Sequence, residues 1–294
     1  MAIAWSTIDK APADMAGVEA GDTVHTAQGT LGDMLDWIDA TPRLPGAGNE
    51  AEETPAAMDW DLGAGYAGAF ELARQGWPEG VKKMKQIAVE AGEHFEQLPA
   101  LEYDVAGAFP LVPLYCAGSP EHMALPAEAP ARPVCRMAVE VSQAWHIEAE
   151  ASMRYGVAIV SAVQALIQAG VVVELWGVRS GKITDNMEDL KSEWFSWAFP
   201  LGGGGQAIDL DRVAFCLAHP ALSRRIVFGV TERRPELVES SKSNYMRNSG
   251  DGVADAGFNV HFPRLHNTSE AETVEIAREK VAKILTEAGY NTAV

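Results

Sequence analysis

The clearest pattern of hydrophobic and polar positions lies between residues 136 and 176. Alternating apolar residues at 136–141 predict a strand. The largely apolar stretch from Met153 to Gln168 has helical spacing, and Gly170 ends it as a C-terminal glycine would. The β-branched run 171–176 predicts a buried strand. Strand, helix and strand in this order predict a βαβ unit with parallel strands.

A second round of elements follows this unit. An aromatic-rich run at 192–201 predicts another strand, and four glycines at 202–205 predict a loop. A short helix is predicted from Leu210 to His219, with Asp209 as its N-cap, and a buried strand over Arg225–Val230. A long amphipathic helix is predicted over Ser269–Ala288, with Ser269 and Glu272 as a capping box. These elements predict an α/β fold with a mostly parallel central sheet and flanking helices.

The first half of the chain is less regular. Residues 1–60 are weakly patterned and are interpreted as an N-terminal arm, with one short helix at Thr30–Ile38. Residues 61–131 are interpreted as a helical and irregular addition that packs on the core, with a helix from Pro78 to about Glu96. Residues 132–294 are predicted to form the α/β domain and its C-terminal helix.

Composition narrows the class of partner. The net charge of −18 over 294 residues repels phosphate backbones and anionic lipid heads, so neither nucleic acid nor membrane is predicted as a partner. Three cysteines without a Cys-x-x-Cys pair are typical of reduced thiols, and the first ten residues lack the pattern of a signal peptide. A cytoplasmic location is therefore predicted, within a host cell and with virion association left open.

Two glycine-rich motifs are compared with nucleotide-binding patterns. Gly63-x-Gly65-x-x-Gly68 matches a dinucleotide fingerprint, but the preceding residues form a poor strand, which favours a turn that enters a helix. The run 202–205 lacks the Lys-Ser/Thr of a phosphate loop, and no Gly-x-Ser-x-Gly elbow occurs. No organic cofactor is predicted.

The order of elements over residues 132–232 resembles the von Willebrand factor A-type domain in its cobalt-chelatase-like bacterial form. In that family a strand ends in Asp-x-Ser-x-Ser, a Gly-Gly-Thr loop opens a helix, and a later strand ends at Asp. The resemblance implies one divalent cation held by these oxygen groups at the carboxyl edge of the sheet. The matching positions here form the predicted binding edge: Glu140, Ser142, Ala144, Gly204, Gly205, Gln206 and Glu232.

The site departs from the family pattern. Glu140 and Glu232 replace the two aspartates, Ala144 offers no ligand, and Gln206 replaces the threonine. The remaining ligands for a metal are Glu140, Ser142, Gln206 and Glu232, fewer than the six that Mg²⁺ or Ca²⁺ usually takes. An altered site with weak or absent cation binding is predicted. His146 follows the first strand and is added to the edge, either as a ligand or base or as part of a solvated loop.

A weaker resemblance connects the chain with uncharacterised proteins of tailed bacteriophages and implies a phage or prophage origin. It rests on four segments: Trp77–Gly80, Tyr103–Gly107, Ala117–Met123 and Ala218–Pro220.

Two other features are open to a structural and a functional interpretation. The paired arginines at 224–225 and 233–234 either pair with local carboxylates or form an anion patch beside Glu232. In the aromatic run, alternation places Phe195, Trp197 and Phe199 on one face and Trp194 on the other. This strand is either buried on both faces or presents an aromatic hot spot to a partner.

These observations predict a non-catalytic protein-binding or assembly component that docks a partner at the altered sheet edge. Two alternatives stay open. One is a virion structural protein that self-associates through the aromatic strand or through residues 116–134. The other is a metal-dependent enzyme that uses Glu140, His146 and Glu232.

Overall fold

The computed structural model describes residues 3–8, 22–90, 134–142, 146–183, 193–203, 208–238 and 258–290. Isolated residues at 109–110, 116 and 123–124 are also described.

A six-stranded sheet forms the centre of the molecule, and its strands lie in the order β1-β2-β7-β6-β5-β8. A separate two-stranded ladder pairs β3 with β4. The strands are β1 Ala4–Ile8, β2 Thr23–Gln28, β3 Phe109–Pro110, β4 Met123–Ala124, β5 Val134–Glu140, β6 Val172–Ile183, β7 Glu193–Gly203 and β8 Val260–Phe262.

The described residues also form nine α-helical segments: α1 Leu31–Ala40, α2 Glu50–Glu53, α3 Met58–Asp61, α4 Gly65–Gln75, α5 Pro78–Glu90, α6 Ala149–Gln168, α7 Leu210–Ala218, α8 Phe228–Thr231 and α9 Val274–Glu287. A π-helix over Leu222–Val227 leads directly into α8, and two short 3₁₀ turns cover Pro235–Leu237 and Thr268–Ala271.

The predicted fold class is confirmed. Three of the strand pairs in the sheet are parallel, namely β5 with β6, β5 with β8 and β2 with β7. The pairs β6–β7 and β1–β2 are antiparallel. Helices α5, α6, α7 and α9 flank the sheet and pack against one another over the main hydrophobic core. The β5–α6–β6 unit has parallel strands as predicted, and Gly170, at φ 86°, follows α6.

The N-terminal residues are part of the central sheet, so the interpretation of residues 1–60 as a weakly patterned arm is wrong. Strand β2 pairs with β7, and β1 pairs with β2 at the edge. The predicted helix at 30–38 is confirmed as α1, which Thr30 caps by accepting from the Asp33 amide at 3.1 Å. The two strands were missed because each is short and mixes polar with apolar residues.

The aromatic strand β7 is buried on both faces, as one of its two interpretations requires. Phe195, Trp197 and Phe199 lie in the main core, and each is at most 1% exposed. On the other face, Ala198 joins a small second cluster, and the indole nitrogen of Trp194 donates to Asp22 at 2.8 Å. Strand β7 pairs with β6 along its length and with β2 over Glu193–Ala198.

The prediction of a buried strand over Arg225–Val230 is wrong, because these residues are helical. They belong to the π-helix Leu222–Val227 and to α8. Every residue of the π-helix is buried, so its sequence carries no periodicity that would separate a helix from a buried strand.

The C-terminal helix begins later than predicted. Its N-cap is Thr273, whose side chain accepts from the Ile276 amide at 3.3 Å. Ser269 lies instead in the preceding 3₁₀ turn, where Asn267 and Glu270 form a capping box. The 3₁₀ turn and α9 therefore have separate N-caps, Asn267 and Thr273, where the sequence predicted one helix with one cap.

Three buried arginines join the π-helix region to the N-terminal helices, and we call them the arginine clamp: Arg224, Arg225 and Arg233. The Arg225 Nε donates to the Asp61 carboxylate at 2.8 Å, and both side chains are completely buried. The Arg233 Nη2 donates to Glu52 at 2.6 Å, and the Arg224 guanidinium lies 4.8 Å above the Trp60 ring. The paired arginines are therefore engaged with local groups, as the structural interpretation predicted.

No single helix among the described residues is long and apolar enough to cross a bilayer, although the bent pair Leu210–Ala218 and Leu222–Thr231 together meets the length and composition criteria.

Candidate functional site

The candidate site lies where the parallel strands β5 and β8 end side by side. Val139 of β5 pairs with Phe262 of β8, so the residues that follow both strands emerge at the same edge of the sheet. Open α/β sheets generally bind ligands at this edge. We call it the carboxyl edge and define it by Glu140, Ser142, Arg179, Arg264 and the cavity between them.

Glu140 is held by the protein through both carboxylate oxygens. One oxygen accepts from the backbone amide of Ser180 at 3.0 Å and from its hydroxyl at 2.8 Å. The other accepts from the Ser142 amide at 3.2 Å and lies 3.8 Å from the guanidinium of Arg179. The side chains of Glu140 and Arg179 are 0% and 3% exposed, so they form a buried ion pair.

The ion pair places a protein cation beside the predicted metal ligand. Burial lowers the pKa of Arg179 to about 10, the charge of Glu140 opposes this shift, and the charge of Arg264 adds to it. A pKa of about 10 still leaves the guanidinium positive at neutral pH. The Glu140 carboxylate, which the resemblance assigned to a divalent cation, thus already has a positive partner from β6.

Ser142 lines a small cavity at the carboxyl edge. The residue is 4% exposed, and its hydroxyl has no hydrogen-bond partner within the described part of the chain. Glu140, Ser152, Tyr155 and Arg264 also line this cavity, whose free volume is about 20 Å³. That volume holds about one water-sized group.

Tyr155 contributes a fixed hydroxyl. It donates to the carbonyl of Pro263 at 3.2 Å, directly before Arg264. Burial raises the pKa of Tyr155 far above its usual value, and the negative charge of Glu270 raises it further. The tyrosine therefore keeps its proton at neutral pH and acts as a hydrogen-bond donor, since the phenolate is disfavoured.

His146 lies near the carboxyl edge but bonds to the backbone. Its Nε2 lies 2.9 Å from the carbonyl of His266, two residues after Arg264. The ring is exposed. The contact joins the segment after β5 to the segment after β8, which supports the edge from the outside.

Glu232 is not at the end of a strand, and its predicted placement at the carboxyl edge is wrong. It follows α8, where its Oε1 accepts from the Ala51 amide at 2.9 Å and its carbonyl accepts from the Leu44 amide at 3.1 Å. The side chain is buried against the N-terminal residues. Its position differs from the prediction because residues 225–231 are helical and the predicted strand does not form.

The remaining predicted site residues, Ala144, Gly204, Gly205 and Gln206, lie outside the described residues. The structure thus brings Glu140 and Ser142 together, places His146 nearby, and moves Glu232 to another set of contacts.

Sequence reasoning missed Arg179, Ser180 and Arg264. The predicted strand stopped at 176, whereas β6 continues to Ile183, so Arg179 and Ser180 were outside it. An arginine within a buried strand requires a charged partner, and that requirement could have pointed to Glu140. Nothing local marks Arg264, because only the pairing of β8 with β5 brings it to this edge.

The two buried serines at this edge should respond differently to removal of their hydroxyls. Ser180→Ala removes a hydrogen bond to the Glu140 carboxylate, so we expect a loss of about 1–3 kcal/mol in the free energy of unfolding. Ser142→Ala removes a hydroxyl without a partner in the described chain, so we expect a change below about 0.5 kcal/mol or a small gain. Urea unfolding of both variants measures the difference, and equal losses would contradict the assigned hydrogen bonds.

Within the described residues, no group of three or more His, Cys, Asp or Glu side chains is arranged to hold a metal ion.

Comparison with known proteins gives one match. A family model described as "Domain of unknown function (DUF7192)" matches residues 22–292. No curated protein and no solved structure matches the chain.

Proposed function

The chain belongs to this family, the domain of unknown function DUF7192, and from the geometry of the carboxyl edge we propose that it is a non-catalytic protein-binding component whose partner docks at that edge. The observation that carries the proposal is the cavity beside Ser142, which lies at the end of the parallel strands and is lined by a half-buried arginine, Arg264. A phage-encoded origin is part of the proposal and rests on the four short segments named above.

The size of the cavity favours a protein partner. Sites for small molecules usually enclose about 300–1,000 Å³, whereas this cavity has about 20 Å³ of free volume. One terminal group of a side chain fits such a space, and the rest of a binding partner would lie across the surrounding edge. Two polar side chains close to the cavity are already engaged, since Glu140 is bonded through both oxygens and Tyr155 keeps its proton.

The state of the cysteines supports a reducing compartment for this function. Cys116, Cys135 and Cys216 are all free, and the last two are buried. Reduced thiols are the rule in the cytosol, so the proposed partner is a cytoplasmic protein of the cell in which the chain is made.

Affinity capture with a matched pair of variants tests the docking site. Tagged wild type, Arg264→Gln and Arg136→Gln are used to capture proteins from expressing or infected cells, with and without EDTA. Arg136 is a half-buried arginine near the opposite end of β5, paired with Glu174, so it serves as the control. We expect one partner to be recovered with wild type and Arg136→Gln in either buffer, and about tenfold less with Arg264→Gln, as for a loss of about 1.4 kcal/mol.

Other outcomes would overturn the proposal. Equal recovery with Arg264→Gln would remove the carboxyl edge as the docking site. Loss of the partner in EDTA would mean that a cation holds it. Recovery of the chain alone, together with a large oligomer by light scattering, would favour self-assembly.

A further inference from the structure

The wall of the cavity carries a guanidinium beside a buried ion pair. Glu140 and Arg179 neutralise each other as a buried pair. Arg264 supplies a second guanidinium, close enough to Arg179 that its charge lowers the pKa of Arg179. A guanidinium in the cavity wall can donate to a carboxylate or phosphate oxygen, which favours an anion as the ligand.

Among the buried polar atoms at this edge, the Ser142 hydroxyl and the Nε of Arg179 have no hydrogen-bond partner within the described residues. An unsatisfied buried polar group costs about 1–3 kcal/mol, so each one in a folded protein calls for a physical reason. The Ser142 hydroxyl lines the cavity, where it can donate to an oxygen that enters from outside.

Ile147, just before the N-cap of α6, and Ser152, near the start of α6, form another wall of the cavity. This helix has 20 residues, and the side chain of its N-cap, Glu148, makes no capping hydrogen bond. The positive end of a helix dipole favours a nearby anion. Of the carboxylates in the first turn of α6, Glu150 is already engaged with Arg154.

We propose that the cavity receives one carboxylate oxygen from an acidic side chain of the docking partner, with the Arg264 guanidinium and the Ser142 hydroxyl as the recognising groups. This inference rests on the proposed function, since it names the chemistry of the docking partner. The free volume of about 20 Å³ admits one oxygen, and the second oxygen of the carboxylate stays at the rim beside Arg264. In this arrangement guanidinium groups replace the metal ion implied by the family resemblance.

Titration of the purified full-length chain tests the chemistry separately from docking. The probes are the α-amide of N-acetyl-glutamic acid, which carries one side-chain carboxylate, and the uncharged amide of N-acetyl-glutamine. Amide and arginine Nε–H signals are followed by NMR. We expect saturable shifts at Ser142 and Arg264 with the glutamate probe, and at least tenfold weaker binding of the glutamine probe.

Three variants test whether Arg264 and Ser142 are the groups that bind the glutamate probe. Arg264→Gln should weaken binding of the glutamate probe at least tenfold, Ser142→Ala about threefold, and Arg136→Gln should leave it unchanged. Equal shifts with both probes, or shifts that persist in Arg264→Gln, would overturn the proposal. Inorganic phosphate is titrated as a third probe. If phosphate binds tenfold more tightly than the glutamate probe, the site recognises a phosphoryl group and not a carboxylate.

The two experiments fail in distinguishable ways. Specific binding of the glutamate probe, with partner capture unaffected by Arg264→Gln, would retain the anion site and reject docking at this edge. Loss of capture in Arg264→Gln, with no specific response to either probe, would retain docking and reject the carboxylate.

Discussion

Replacing Arg225 with Met should lower the free energy of unfolding by about 3–5 kcal/mol, because the change leaves a buried carboxylate without its cation. Asp61 is completely buried, and Arg225 Nε lies 2.8 Å from it. The same guanidinium donates to the carbonyls of Ala51 at 2.9 Å and Thr54 at 2.7 Å. Methionine restores much of the volume but satisfies none of these acceptors.

Urea unfolding at neutral pH measures this loss, and Arg74→Met is the matched control. Arg74 also pairs with two aspartates, Asp36 and Asp39, but its side chain is 45% exposed. Exposed pairs contribute about 0–1 kcal/mol, so the control should lose no more than that. A loss below about 1 kcal/mol in Arg225→Met would show that the clamp does not stabilise the fold.

The same pair gives stability a defined pH dependence. Burial alone would raise the pKa of Asp61, but hydrogen bonds from the Ala57 amide and from Arg225 outweigh it and hold the pKa below 3.8. The native state therefore binds fewer protons than the unfolded state. The contribution of Asp61 to the free energy of unfolding is present above pH 3.8 and is lost as the pH falls through the lower pKa of Asp61 in the folded state. In Arg225→Met, the free energy of unfolding should therefore change less with pH in this acidic range.

Glu140→Gln should also be strongly destabilising, by about 3–5 kcal/mol, because it leaves Arg179 as an unneutralised buried guanidinium. The double variant Glu140→Gln with Arg179→Met removes both charges, so it should recover most of the loss. Glu174→Gln is the control, since Glu174 pairs with Arg136 at a position about one-third exposed. Unfolding in urea with EDTA present measures all three variants.

This series also separates a structural carboxylate from a metal ligand. A structural role for Glu140 requires the loss to appear in EDTA and to be recovered by the second substitution. The opposite pattern would restore the cation hypothesis: equal stability of wild type and Glu140→Gln in EDTA, with added Mg²⁺ or Ca²⁺ stabilising only the wild type.

Local sequence predicted the parts of the fold that are marked by their residue types or by their end signals. The β5–α6–β6 unit follows from β-branched runs and from Gly170, and α7 follows from the Asp209 cap, which accepts from the amides of Asp211 and Arg212. Residues 225–230, within the helical segment 222–231, were mistaken for a strand because the residues of the π-helix are all buried, which removes the periodic signal.

The candidate site depended on contacts between distant positions, so only part of it could be predicted. Glu140 and Ser142 follow a recognisable strand, and their hydrogen bond joins positions two residues apart. The bond from the Ser180 hydroxyl to Glu140 spans 40 positions, and local sequence carries no signal for such a pairing. Glu232 was misplaced for the same reason, since its partner Ala51 lies 181 positions away.

The pairing of β2 with β7 has a consequence for folding during synthesis. The N-terminal strands leave the ribosome long before β7, with which β2 pairs, and the Asp22–Trp194 hydrogen bond between these regions spans 172 positions. Strands β2 and β7 can therefore pair only after residues 29–192 have been synthesised. A fragment that starts after Gln28 would leave the edge of β7 over Glu193–Ala198, with its three aromatic residues, open to other chains, and such an open edge promotes aggregation.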